Sequence, residues 1–355
     1  MTRQENPVES YHEEQDQRNT LLLREVMDSL PQFCRQFFRG ISENTSARTR
    51  LAYAYDLRVF FEYLHTVNSA CAAQEIKDYP LSLLESLCKE DIEEYLEYLS
   101  YYEKDGKTIT NDERGKMRKL SALKSLYRYF YTSERIEKDV AALVATPKLH
   151  EKPIIRLDAG EVATLLDQVE DGEGLTKTEQ KYHAKTRVRD LAILTLLLGT
   201  GIRVSECVGL DLDDISFRDN AIKVHRKGDY DAIVYFGDEV EQALREYLGE
   251  RTHAAVQSGH ENALFLSMQN RRITVRAIEN LVKKYASRVT TLKKITPHKL
   301  RSTYGTALYQ ETDDIYLVAS VLGHKDVNTT RKHYADMDDY HRRKAANIVK
   351  LREKE

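Results

Sequence analysis

The stretch Ala145-Thr146-Pro147-Lys148-Leu149-His150-Glu151-Lys152-Pro153 holds two prolines, several charges and no apolar period, the composition of a linker between domains. It predicts a boundary near residue 150. A chain of 355 residues is long for one ordinary domain and comfortable for two, each able to bury a core of its own. Apolar content of 41%, 31% charged residues and only 6 prolines point to a helix-rich globular chain rather than a disordered or fibrous one.

On the N-terminal side, the first 40 residues stay polar until about Thr20. They then turn amphipathic through Leu21, Leu22, Val26, Leu30, Phe33 and Phe37, which predicts a disordered tip followed by a docking helix. From Thr45 the pattern is helical, with Thr45 or Ser46 as cap, Leu57, Phe60, Phe61 and Leu64 at helical spacing, and Arg48 and Arg50 in the first turns. Asp91 to Ser100 predicts another helix. Residues 113 to 132 predict a third, on which Leu120, Leu123, Tyr127 and Phe130 form one apolar stripe while basic residues crowd the remainder.

On the C-terminal side, a helix is expected from about Ala159 to Val169. A charged loop from Glu170 to Thr186 follows, then an apolar helix from Leu191 to Leu198 broken by Gly199-Thr200-Gly201. Ile222, Val224, Ile233 and Tyr235 alternate on either side of Lys227-Gly228-Asp229, the pattern of a β-hairpin. Helices are expected over 274–290, 298–311, 315–322 and 341–353.

The formal charge of −3 hides a segregation. Residues 76 to 105 are strongly acidic. Residues 114 to 128 hold Arg114, Lys116, Arg118, Lys119, Lys124 and Arg128 with no acid, and residues 271 to 301 are almost as basic, with Arg271, Arg272, Arg276, Lys283 and Lys284 among their cations. One such run is ordinary solvated helix surface as often as not. Two, one in each half and separated by an acidic segment, fit a polyanion gripped from two sides. No run approaches the ~18 apolar residues of a membrane span, and Met1-Thr2-Arg3-Gln4-Glu5 is too polar for a secretory signal, so a cytoplasmic protein is expected. Cys34, Cys71, Cys88 and Cys207 show no paired spacing, which argues against a disulfide framework or zinc cluster.

Four segments, GTGIRVSE (199–206), HRKGD (225–229), TPHKLRSTYGTAL (296–308) and LGHKDVNTTRKHYA (322–335), resemble the tyrosine recombinase and integrase family in their usual order. In the first half, TRLAYAYDLRVFFEYL (49–64) and RKLSALKSLYRYFY (118–131) resemble its core-binding domain. The resemblance spans roughly residues 45 to 340 and is strongest to Xer-type recombinases, particularly the single-recombinase streptococcal form. Each motif alone is weak; their order and company are not.

The resemblance implies a mainly α, two-domain clamp around duplex DNA. Residues 1–40 would be an extension with the docking helix, 41–148 a helical, SAM-like core-binding domain, and 149–340 a mostly helical catalytic domain with a small β-hairpin or sheet. Residues 341–355 would be a helix docking on a neighbouring protomer within a homotetramer on two DNA sites, since the stripe Ala345, Ile348 and Val349 is too short to be buried alone. The implied activity is site-specific cutting and rejoining of DNA, in chromosome-dimer resolution or in integration and excision of a mobile element.

Phosphodiester transfer without a metal needs positive charge and hydrogen-bond donors around a pentacovalent phosphorane, a nucleophile, and an acid for the leaving oxygen. Arg203 follows a glycine turn and Glu206, one turn on, can hold it. His298 and Arg301, three apart, share a helix face, and guanidinium forks suit two phosphoryl oxygens. By resemblance, Arg203 and Arg301 clamp the phosphate and Lys227 protonates the 5′ oxygen. His298 assists proton transfer, and His324, after Leu322-Gly323 at a helix start, donates to a non-bridging oxygen. Tyr334 is the nucleophile, selected from 22 tyrosines by position alone, ten residues after His324; Tyr304 and Tyr340 are weaker rivals. Ser302 departs from the histidine that relatives commonly carry, outside the family's catalytic set. The implied cofactor requirement is none. Three other readings share parts of this pattern: a monomeric type IB topoisomerase, a non-catalytic DNA-binding regulator, and a helical protein-binding scaffold.

Overall fold

The computed structural model describes residues 10–149, 154–226, 228, 230–324 and 326–327. Lys227, Tyr334, Tyr340 and the expected helix at 341–355 lie outside them. The chain divides into two compact units, Met1–Glu151 and Lys152–Glu355. Among the described residues both are mainly helical, each with one small antiparallel sheet.

The first unit runs α1 (Tyr11–Met27), α2 (Phe33–Gly40), α3 (Ala47–Val67), α4 (Ser69–Ala72), α5 (Leu83–Ser86), α6 (Lys89–Tyr98), β1 (Tyr102–Lys104), β2 (Lys107–Ile109) and α7 (Glu113–Thr132). Helix α1 begins some ten residues earlier than its apolar stripe, because Ser10 and Glu13 form a capping box that satisfies the first amides regardless of polarity. It lies along α3, with Leu23 and Val26 buried in the same core as Phe37, Phe60, Phe61, Tyr95, Tyr127 and Phe130. Phe60 meets two of these rings edge to face, Tyr95 at 5.0 Å and 73° and Phe61 at 5.5 Å and 61°. Each fully buried aromatic contributes about 2–3 kcal/mol by area, and the edge-on contacts add to it.

The second unit runs α8 (Ala159–Asp171), α9 (Lys177–Thr200), α10 (Val204–Gly209), β3 (Ile215–Ser216), β4 (Ala221–Arg226), β5 (Tyr230–Tyr235), α11 (Asp238–Arg251), α12 (Val275–Val289), α13 (Pro297–Thr312) and α14 (Ile315–Leu322). The expected loop at 170–186 is mostly helix. Thr176 and Glu179 cap α9 at Lys177, and its charged first turns lead into a segment, Ala192 to Leu197, that is buried on every side. Around α9 pack α8, α11 and α13. The sheet order is β3-β4-β5, with Val224 opposite Ala232 and Arg226 opposite Tyr230.

Two capping carboxylates in this unit are used twice. Glu161 accepts the Asp158 amide at the start of α8 (2.8 Å) and Lys293 Nζ (2.5 Å). Glu179 accepts the Thr176 amide (2.8 Å) and Arg288 Nη2 (2.7 Å). The Thr176 backbone bond, foremost, holds the Glu179 carboxyl below the usual range.

Candidate active site

Helix α14 explains how the site is assembled. It ends in a Schellman motif: Gly323 takes φ 63°, its amide donates to Ser320 O (3.0 Å) and the His324 amide to Ala319 O (2.9 Å). His324 therefore stands directly after the end of α14. The motif satisfies the carbonyls of residues 319 and 320 and leaves the last three, on Val321, Leu322 and Gly323, without helical partners at the negative end of the helix dipole.

Three guanidinium groups take those three carbonyls. Arg226 Nη2 donates to Val321 O (2.8 Å), Arg301 Nη2 to Leu322 O, and Arg203 Nη2 to Gly323 O (3.3 Å). Each arrives from a different element. Arg226 is the last residue of β4. Arg301 sits in the second turn of α13, which Thr296 and Pro297 open, the proline at a first-turn position where its missing amide costs nothing. Arg203 precedes α10, just after α9 ends on left-handed Gly201.

The arginines are also tied to one another's supports. Arg301 Nη1 donates to Gly201 O (2.6 Å), so the glycine turn and the helix end share one buried guanidinium. Buried Glu206 accepts both the Arg203 amide (2.8 Å) and Arg203 Nη1 (2.6 Å), fixing backbone and side chain together. His298 lies exposed one turn before Arg301. Tyr304 packs against Gly201, where a Cβ would fall 2.4 Å from the ring, and burial pushes its phenol up. A harder ionisation disfavours Tyr304 as a nucleophile.

Among the described residues no group of three or more His, Cys, Asp or Glu could hold a metal ion, and no helix is long and apolar enough to cross a membrane.

The family model described as the phage integrase family matches residues 156–341, more than half of the chain. The chain belongs to the phage integrase family. The tyrosine recombinase XerC of Caldanaerobacter subterraneus subsp. tengcongensis is 32% identical over 311 residues, covering 85% of this chain and 81% of that protein. The tyrosine recombinase XerS of Streptococcus uberis is 32% identical over 347 residues, covering 88% and 95%. Among solved structures, the XerH site-specific recombinase in a post-cleavage complex with palindromic difH substrate superposes with a TM-score of 0.64 at 20% identity, over 93% of this chain and 94% of that one, a likeness of fold. The protein is a tyrosine recombinase of the Xer kind.

The cations of this recombinase differ in how far their own fold engages them. Arg48, Arg114, Arg128, Arg271, Arg276 and Lys283 are exposed, Arg271 with a bond to Gln257 Oε1 (2.5 Å) and Arg276 with one to Glu279 (3.2 Å). Others bind their own fold. Lys119 is buried between Asp56 (3.8 Å) and Asn111 (2.9 Å), and Arg118 reaches the same Asp56 at 2.7 Å. Burial raises the Asp56 carboxyl and lowers the Lys119 ammonium, each opposed by the other's charge. Arg50 donates to Ser42 O (2.9 Å), Lys116 to Ser100 Oγ (2.6 Å) and Lys124 to Val144 O (2.7 Å). Arg272 is paired with Asp211 and donates to Leu210 O (2.9 Å), while Lys284 turns inward to Tyr285 OH (2.8 Å) and Asp190 (3.9 Å).

Sequence reasoning passed over Arg226. Its signal was present: Ile222, Val224 and Arg226 share one face of β4, so an arginine continues an otherwise apolar inward row.

Proposed function

We propose that this recombinase cuts and rejoins duplex DNA at specific sites through a covalent 3′-phosphotyrosine on Tyr334. The Tyr334 oxygen attacks the scissile phosphorus and the bond to the 5′ oxygen breaks. Lys227 supplies the proton to the departing 5′ oxygen, with His298 assisting proton transfer at the nucleophile. Arg203 and Arg301 neutralise the phosphorane, helped by a hydrogen bond from His324, and Glu206 keeps Arg203 oriented. In the second step the 5′ hydroxyl of a partner duplex attacks the phosphotyrosine, so bond energy is conserved and no nucleotide or metal cofactor is required. Two arginines in fixed geometry do the charge work that a divalent ion does elsewhere.

The observation that carries this reading is the convergence of Arg203 and Arg301 on adjacent carbonyls of the turn that presents His324, within 3.3 Å in the looser case. It brings three widely separated motifs of one chemistry together. The two units would close on the duplex as a clamp, with phosphate contacts from the exposed cations of α3, α7 and α12. A homotetramer on two sites, built through residues 341–355, would act in the cytoplasm on the nucleoid. Its setting is either chromosome-dimer resolution or movement of a mobile element, and sequencing the DNA ends trapped on the protein separates the two.

The direct test is a nicked suicide duplex. The wild-type chain forms a covalent adduct, undiminished in EDTA; Tyr334→Phe forms none while still binding DNA. An adduct that persists in Tyr334→Phe, or cleavage that vanishes in EDTA, refutes the assignment.

A further inference from the structure

Arg226 is 6% exposed, and its Nε has no hydrogen-bond partner among the described residues. Leaving a buried guanidinium nitrogen unpaired is unfavourable, and an aliphatic side chain would continue the inward row of Ile222 and Val224 without that cost. Stability therefore does not explain an arginine here. Its placement does.

The guanidinium lies flat against Gly323. A Cβ on that residue would fall 2.0 Å from Nη1 and 2.6 Å from Cζ, so only glycine admits the arginine, quite apart from the left-handed φ of 63°. From the same position Nη2 bonds Val321 O at 2.8 Å. Arg226 thus clasps the α14 terminus over three residues, from a strand otherwise remote from it. Arg203 and Arg301 hold the same turn from other directions. Arg226 is enclosed by the fold as Arg301 is (6% and 5% exposed), whereas the Arg203 side chain is about one-third exposed.

We infer that Arg226 is a positioning residue for strand cleavage, acting through the Gly323–His324 turn: it fixes that turn to the end of β4 so that His324 meets the phosphate in one orientation. The inference rests on the proposed phosphotyrosine reaction for its consequence, and on geometry alone for the clasp. An arginine fork is needed because one plane must both cover Gly323 and reach Val321 O; a lysine ammonium can supply the bond but not the plane.

The experiment uses the full chain as wild type, Arg226→Met, Arg226→Lys, His324→Ala and the double variant Arg226→Met/His324→Ala. Hydrogen exchange of the DNA-free proteins is measured first. Arg226→Met is expected to raise exchange at the Gly323 and His324 amides at least tenfold, with peptides from the middle of α9 unchanged. Adduct formation on the suicide duplex follows, at saturating DNA. Arg226→Met is expected to slow it by one to two orders of magnitude with DNA affinity within threefold, Arg226→Lys to recover only part of the loss, and Arg226→Met to cost less than threefold more when His324 is already alanine.

Unchanged exchange at 323–324 overturns the clasp whatever the cleavage data. Multiplying effects of the two substitutions overturn action through His324, as does full activity in Arg226→Met. If the wild-type chain forms no adduct, the phosphotyrosine reading falls, and the exchange result alone decides whether Arg226 fixes the turn.

Discussion

Glu206→Gln tests whether the Arg203 support works as described. The carboxylate uses one oxygen for the Arg203 amide and the other for Nη1. Glutamine keeps the shape but can accept at only one of those places, turning its amide nitrogen against a donor at the other. A lost charge-assisted bond costs about 1.5–3 kcal/mol. The Arg203 side chain is 34% exposed and Glu206 only 3%, so water recovers part of the arginine's loss and little of the donor clash. About 2 kcal/mol is the expected net, a shift of roughly 30-fold in the unfolding equilibrium. For a unit of this size that lowers the melting temperature by about 6 °C. The assay pairs thermal unfolding with single-turnover adduct formation. Expected with the lower melting temperature is a cleavage rate reduced about 100-fold, because an unheld guanidinium samples unproductive orientations, while DNA affinity stays within threefold. A melting temperature within 1 °C of wild type, or undiminished cleavage, refutes the argument that Glu206 orients Arg203.

Three further outcomes follow from the same geometry. Tyr304→Phe should retain adduct formation within threefold, since its ring packs on Gly201 and its phenol is raised by burial; loss of the adduct on the suicide duplex would reinstate it as the nucleophile. Asp56→Ala should destabilise the chain by about 3 kcal/mol in urea unfolding by leaving buried Lys119 without its countercharge, and Asp56→Leu with Lys119→Met should recover most of that; equal losses would show the pair is not coupled. Replacing Arg114, Arg128, Arg276 or Lys283 singly with alanine should lower the salt dependence of DNA binding by about one counterion each, whereas Arg272→Ala should lower stability instead; identical slopes in all five would void the division into exposed and fold-bound cations.

Much of this was legible in the sequence, and the misses share a cause. Periodicity found α7, α12, α13, α14 and the β4–β5 hairpin because their apolar faces meet a core. It misplaced the starts of α1 and α9, where capping boxes begin a helix in polar residues that carry no period. The β1–β2 hairpin was passed over although Asp105-Gly106, both at positive φ, is a standard hairpin turn; its strands are three residues each, too short to alternate. Arg203, Glu206 and Arg301 could be named from motifs, yet nothing linear could show that the two arginines converge on the end of α14. The basic runs were visible as charge. Which cations face solvent depends on partners such as Asp56 and Asp211 that lie some 60 residues away in sequence.

Glu161 and Glu179, each closing a helix start while receiving Lys293 or Arg288, bear on how this protein answers to ionic strength. Both pairs sit partly sheltered from water, where screening is weak, while Arg276 and Lys283 stand open to it. Salt sufficient to release a nucleic acid should therefore leave these two rivets closed. An elution gradient becomes a sorting of the basic residues, separating those that serve the ligand from those that serve the scaffold.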